Sequence, residues 1–208
     1  MTIPVIVVGA GGFGRECAEV IRICPQLELA GFVDDNAALH GQELLGAKVL
    51  GPVSMVHDVD AQVVVTIGNP TNYGVRKRIV DELGLDDARY ATVVHPDVEV
   101  VPSVSIGVGS VITKGCVMTS QVAVGRHVVM MPNVVLTHDD VVDDYVTFGA
   151  GVCVAGGVLI EEGAYIGSSS AVREGLTVGA RAMVGMGAVV TRNIPAETTW
   201  VGVPARQL

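Results

Sequence analysis

The chain has 208 residues, a formal net charge of −9, 26 glycines and 50% hydrophobic residues, of which only 4% of the chain is aromatic. That length accommodates one sizeable core or two small domains, and an acidic chain with no basic stripe excludes a nucleic-acid or anionic-membrane surface. No apolar run approaches the roughly 20 residues that span a bilayer, and Ile3–Val8 is too short and lacks the basic flank of a secretory leader, so a soluble cytoplasmic protein is expected.

Residues 1–90 read as alternating β and α units. "IPVIVVGAGGFGRECAEVIRI" is an apolar strand, a glycine turn and a helix with Ala18, Val20 and Ile21 on one side. "LELAGFVDD" is a second strand ending in two carboxylates, "QVVVTIGNP" a third, and "NYGVRKRIVDELG" a helix stopped at Gly84. The alternation predicts a small parallel sheet covered by helices. The turn "GAGGFG", Gly9–Gly14, lets backbone approach a phosphate at a helix N-terminus. With Asp34 and Asp35 ending the next strand it resembles a dinucleotide fingerprint, the plainer alternative being a tight turn. Only half of the usual dinucleotide sheet is present, enough for one nucleotide, so a nucleotide-sugar fits better than NAD. "IGNP", Ile67–Pro70, falls on the same carboxyl edge and should line the same crevice.

From residue 94 the period changes to six. Steps of six from Val94 to Val190 meet 17 consecutive aliphatic or aromatic residues, and four places after most of them sits a smaller or β-branched one (Val98, Val104, Ser110, Cys116, Val122, Val128). An uninterrupted hexad is the signature of a β-helix. Three hexads make a coil, so Val94, Ile112, Met130, Phe148, Ile166 and Val184 should stack inward in coils about 4.8 Å apart. Spacing alone leaves the handedness open.

The stretch "VVLTHDDVVDDY", residues 134–145, concentrates charge in this apolar half. His138 follows the core position Leu136 by two, at an outward corner, with Ser120 one coil below and Gly156 one coil above. A histidine beside a glycine has open space and a backbone N–H within reach, which are a general base and an oxyanion donor for acyl transfer; a polar corner residue on a solvated face is the alternative. Asp139 is positioned to hold the imidazole tautomer. Asp143 and Asp144 read as solvated turn carboxylates. Asp140 falls on an inward position, where its carboxylate must find hydrogen bonds or carry a raised pKa. His127 and His138 are eleven apart with no third histidine at a matching corner, which weighs against a trimer-interface zinc site. Cys17, Cys24, Cys116 and Cys153 show no metal-ligand spacing and are expected to be packed, reduced thiols. Met131, Thr137 and Thr147, with Val129 and Val135 next to core positions, form an outward face more apolar than solvent requires, expected to be buried against a neighbour around a threefold axis.

The segments "GAGGFGRE", "GFVDDN", "TIGN", "THDD", "GVCVAGGVLI" and "WVGVPAR" together resemble the PglD/NeuD/PerB sugar acyltransferases across nearly the whole chain. The resemblance implies a half-Rossmann-like nucleotide-sugar-binding α/β domain over 1–90, followed over 91–208 by a left-handed parallel β-helix of hexapeptide repeats. It further implies a homotrimer with the acetyl-CoA groove between neighbouring helices and no metal. The expected activity is acetyl transfer from acetyl-CoA to a sugar, commonly the 4-amine of a nucleotide-linked 4-amino-4,6-dideoxy sugar. Residue by residue, the family's catalytic histidine falls on His138, its acidic partner (often Glu) on Asp139, and the amide that meets the thioester carbonyl on Gly156. The nucleotide contacts fall on Gly11, Gly12, Phe13, Asp34, Asp35 and Gly68. The acetyl-CoA contacts fall on Gly156, Ser168 and Thr147, the last where some relatives have a second histidine. The rival readings are O-acetylation of a sialic-acid-type sugar and a non-catalytic trimeric scaffold.

Overall fold

The computed structural model describes residues 2–208. In the first part β1 (Ile3–Val8), α1 (Gly12–Ile23), β2 (Leu27–Val33), a hairpin of β3 (Glu43–Leu44) and β4 (Ala47–Lys48), β5 (Gln62–Val65) and α2 (Val75–Leu83) follow one another. The sheet runs β2–β1–β5, all parallel. Central β1 is buried on both faces, with Val5, Ile6, Val7 and Val8 all at 0% exposure, which is why it reads as an unbroken apolar run. Gly84 ends α2 in the left-handed region at φ 55°, its N–H returning to the Val80 carbonyl. In the glycine turn, two positions demand glycine sterically. A Cβ on Gly9 would lie 2.6 Å from Ile67 Cγ1, and one on Gly14 1.9 Å from the Gly9 carbonyl oxygen. A Cβ on Gly11 or Gly12 would meet nothing within 4 Å.

The second part is a left-handed parallel β-helix of two-residue strands. Its first face stacks Val111–Ile112, Val129–Met130, Thr147–Phe148, Tyr165–Ile166 and Met183–Val184; its second face runs from Val117–Met118 to Val189–Val190; its third face runs from Ser105–Ile106 to Thr177–Val178. Partners are 18 apart, as in Val129 with Thr147, Val135 with Cys153 and Val141 with Leu159. Every sixth residue, at the middle of each corner, takes the left-handed conformation: Gly115, Gln121, His127, Asn133, Asp139 and Tyr145 form one such run. Its N–H donates to the coil below, as Asp139 does to the Ser120 carbonyl at 3.0 Å. Sequence sets this rhythm because only the second residue of each strand points inward.

Four expectations need correction. Val100 is on the hexad count but is 43% exposed and lies in no strand. Pro96 and Pro102 bracket it, each without a ladder donor, and no coil lies beneath it. The last coil is also shorter, since Val184 faces Trp200 sixteen residues on. The outward ribbon of Val129, Met131 and Thr147 is not left for a neighbour. The chain's own first part sits on it, with Val129 in one core with Val5, Val7 and Phe32, and Met131 packed against them. Cys17, Cys24 and Cys116 are buried, but Cys153 is exposed, because it precedes the inward Val154 and therefore points out. Among the described residues no helix is long and apolar enough to cross a membrane.

Candidate active site

His138 stands on the corner between the second and third faces, two residues beyond buried Leu136. The left-handed backbone of Asp139, φ 62°, turns its carboxylate back so that Oδ2 lies 2.8 Å from His138 Nδ1. A neutral imidazole that donates its Nδ1–H to this carboxylate keeps a lone pair on Nε2. That nitrogen fills the place of a missing side chain: a Cβ on Gly156 would lie 2.4 Å from both Nε2 and Cε1. The Gly156 N–H has no protein acceptor among the described residues. An imidazole, a carboxylate and a free amide donor therefore meet at one exposed corner.

Asp140 has a structural task beneath that corner. It is fully buried, with Oδ2 accepting from the Thr137 N–H and Oδ1 from the Val158 N–H, both at 2.9 Å. These bonds pin the histidine's coil to the next one. Burial nevertheless outweighs them and pushes the carboxyl pKa up to about 6.

A cavity of about 250 Å³ lies between the first part and the β-helix, with Phe13, Gly68, Tyr73, Arg76, Thr147 and Ser168 on its walls. It gathers four of the anticipated ligand residues, Phe13 and Gly68 from one part and Thr147 and Ser168 from the other. Gly11 and Gly12 are exposed at the start of α1 beside Phe13. Asp34 is committed to backbone: its carboxylate accepts from the N–H groups of Ala10 and Asn36, both at 2.9 Å, fastening β2 to the glycine turn. Asp35 is exposed and accepts from the Val53 N–H at 2.9 Å. The structure thus forms two separate groups. The cavity is on the first face, and His138, Asp139 and Gly156 are at the vertex opposite that face. Thr147 and Ser168 lie with Phe13 and Gly68, away from Gly156 of the same chain.

Sequence reasoning passed over Arg76, although it left a signal. Arg76 shares a helical stripe with Val80 and Leu83 at i+4 and i+7, an arginine on the apolar side of α2. It is 3% exposed.

Residues 4–83 match the PglD N-terminal domain family. A GDP-perosamine N-acetyltransferase from Escherichia coli O157:H7 is 31% identical over 199 residues, covering 93% of this chain and 80% of the relative. Among solved structures, the acetyltransferase domain of PglB from Neisseria gonorrhoeae FA1090 in complex with acetyl coenzyme A aligns over 100% of both chains, with a TM-score of 0.90 and 28% identity. PerB from Caulobacter crescentus, in complex with CoA and GDP-perosamine, aligns over 99% of this chain and 97% of its own with a TM-score of 0.87 and 26% identity.

Proposed function

The chain belongs to the PglD/NeuD/PerB family of hexapeptide-repeat sugar acyltransferases, and from that premise we propose that it transfers acetyl from acetyl-CoA to the amine of a nucleotide-linked amino sugar, a 4-amino-4,6-dideoxy sugar fitting best. The observation that carries the mechanism is the alignment of Asp139, His138 and Gly156, with Nδ1 tied to the carboxylate at 2.8 Å and Nε2 over the glycine. The sugar amine attacks the thioester carbonyl carbon and passes its proton to His138 Nε2. The Gly156 N–H receives the oxyanion of the tetrahedral intermediate. Collapse re-forms the carbonyl, breaks the C–S bond and releases CoA, whose sulfur takes the proton from the imidazolium. Asp139 stabilises that imidazolium without itself becoming protonated. His138 pairs with no serine or cysteine among the described residues, which favours direct transfer over an acyl-enzyme.

The first part, residues 1–90, is assigned to the nucleotide-sugar through Gly11, Gly12, Phe13, Asp34, Asp35 and Gly68, and residues 91–208 to acetyl transfer, with Gly156 at the thioester; Thr147 and Ser168, which the resemblance puts on the acetyl-CoA path, line the same cavity as Phe13 and Gly68. Because the cavity and His138 occupy a face and its opposite vertex, one chain does not bring them together. A homotrimer does, with each cavity meeting a neighbour's histidine. Two outward ladders flank His138 and support this assembly: Val117, Val135 and Cys153 on the second face, and Ala123, Val141 and Leu159 on the third. Val117 and Val141 are 46% and 42% exposed, and a closed ring buries such ladders on every copy. Cytoplasmic action belongs to the same proposal, in keeping with four unpaired cysteines.

The direct test measures CoA release from acetyl-CoA with a panel of nucleotide-linked amino and hydroxy sugars. Release with an amino sugar, abolished in His138→Asn, is expected. Release only with hydroxy sugars would replace N- by O-acetylation, and no release with either would overturn the assignment. Light scattering should give about three times the 21.5 kDa chain mass, and a fully active monomer would overturn the shared site.

A further inference from the structure

Acetyl transfer leaves Arg76 without a part, yet its setting is unusual. Its guanidinium is buried and has no carboxylate partner among the described residues. Nη2 donates to the Tyr145 and Val146 carbonyls at 2.8 and 3.2 Å and to Thr147 Oγ1 at 2.8 Å, all neutral acceptors. Nε is buried with no acceptor. Nη1 makes no hydrogen bond to the described residues and lies 3.9 Å from where a Cβ on Gly68 would be, at the cavity wall. Burial draws the pKa down to about 10, which still leaves the group charged at neutral pH.

A buried cation facing only neutral dipoles is costly unless something supplies negative charge. The cavity walls do not: none of their residues is acidic, in a chain with 22 Asp and Glu. Phe13, on another wall, belongs to the first turn of α1, where the N-cap Gly11 offers no side chain to the free N–H groups. That helix end adds positive potential to the same space. Tyr73 and Tyr165, with ring centroids 5.7 Å apart, provide an apolar wall beside it.

We infer that the cavity is a diphosphate site in which Arg76 Nη1 is the charged donor, holding the diphosphate linker of the sugar nucleotide. This rests on the nucleotide-sugar reading above. Coenzyme A carries a diphosphate of the same chemistry, so the two sources are separated by experiment.

Inorganic pyrophosphate is the first probe, titrated into the full-length protein by calorimetry. Wild type should bind it, more weakly as salt rises, and Arg76→Lys should weaken it by about tenfold, because a point charge replaces the planar fork. In steady-state assays Arg76→Lys should raise KM for the nucleotide-sugar by about tenfold, with kcat and the KM for acetyl-CoA little changed. Asp87→Asn, which breaks an ion pair to Arg126 between the same two parts outside the cavity, should move neither constant. Arg76→Met should abolish pyrophosphate binding, and Arg76→Lys decides the matter whether or not the methionine variant folds. Unchanged pyrophosphate affinity and unchanged sugar-nucleotide KM in a folded variant would overturn the inference and leave Arg76 as a tie between α2 and the coils. A rise confined to the acetyl-CoA KM would overturn the sugar-nucleotide assignment. Arg76-dependent pyrophosphate binding in a protein that acetylates no amino sugar would instead sink the transferase reading and keep the diphosphate site.

Discussion

Gly156→Ala puts the proposed mechanism under the most discriminating strain. Its backbone is not in the left-handed region, so alanine is conformationally acceptable there. The added Cβ, however, would lie 2.4 Å from His138 Nε2 and Cε1 and 2.9 Å from Cδ2. The obstacle is the far end of a side chain that is 68% exposed, so the imidazole can swing into solvent. Doing so breaks the 2.8 Å contact with Asp139. The exposed hydrogen bond and a rotamer change together amount to about 1–2 kcal/mol, a small effect on folding. Catalysis should suffer more, because a misplaced base costs about 10²-fold in kcat. Thioester consumption measured alongside thermal melts should therefore show turnover down about a hundredfold and a nearly unchanged melting temperature. His138→Asn removes the clash together with the base, so the double variant should be no slower than His138→Asn alone. Near-wild-type turnover in Gly156→Ala, or additive losses in the double variant, would refute the stacked arrangement of base and glycine.

His138→Asn should lower kcat by about 10²–10⁴-fold without loss of stability, and Asp139→Asn should cost less, since the base remains; equal losses would mean that Asp139 does more than orient. A Cβ on Gly12 meets no protein atom within 4 Å, so for Gly12→Val kinetics should show a higher KM for the nucleotide-sugar and unchanged acetyl-CoA binding. Equal weakening of both ligands would contradict separate sites. His127 is fully buried, stacked at 5.2 Å on Tyr145 and edge-on at 4.7 Å to Tyr90, with no acceptor for either nitrogen. Burial first, then Arg126 and Arg76, lowers its pKa from 6.5 to about 4. The fold favours the neutral ring, so its contribution is complete above pH 6.5 and is lost as pH falls toward 4, by on the order of 3 kcal/mol. Asp140 runs the other way: with its pKa raised to about 6, the cost of burying its charge is relieved as pH falls over the same window. Wild type should therefore lose urea stability relative to His127→Phe as pH falls from 6.5 to 4, and a pH-independent difference would refute the role given to His127.

The β-helix was legible because its period is mechanical: one inward residue per strand, three strands per coil, so Ile112, Met130 and Phe148 had to stack. The histidine corner was legible for the same reason, since 18-residue stacking alone places Gly156 over His138. Val100 shows the limit. A residue can be in phase with the hexad and still form no strand: Val94 and Ile106 of the same coil pair with the coil above, whereas Val100, between Pro96 and Pro102, does not. The placement of the first part over Val129 and Met131 was invisible, because an outward apolar residue looks the same whether its own chain or another covers it. Arg76 was hidden differently. Its burial depends on carbonyls at 145 and 146, and backbone acceptors brought from about 70 residues away leave no mark on the helix that uses them.

The placement of the cavity on one face and His138 at the opposite vertex has a genetic consequence. If each site joins the cavity of one chain to the histidine of the next, two differently impaired proteins can restore each other. Chains carrying His138→Asn keep a sound cavity, and chains carrying Gly12→Val keep a sound histidine. Any ring containing both kinds has one junction at which the two intact halves meet. Random assembly of equal amounts therefore recovers about one quarter of the wild-type sites, visible at nucleotide-sugar concentrations well below the raised KM of Gly12→Val, where each preparation alone turns over little. A cell expressing both alleles would be rescued by heterozygosity alone, and a chain that housed its whole site would never complement.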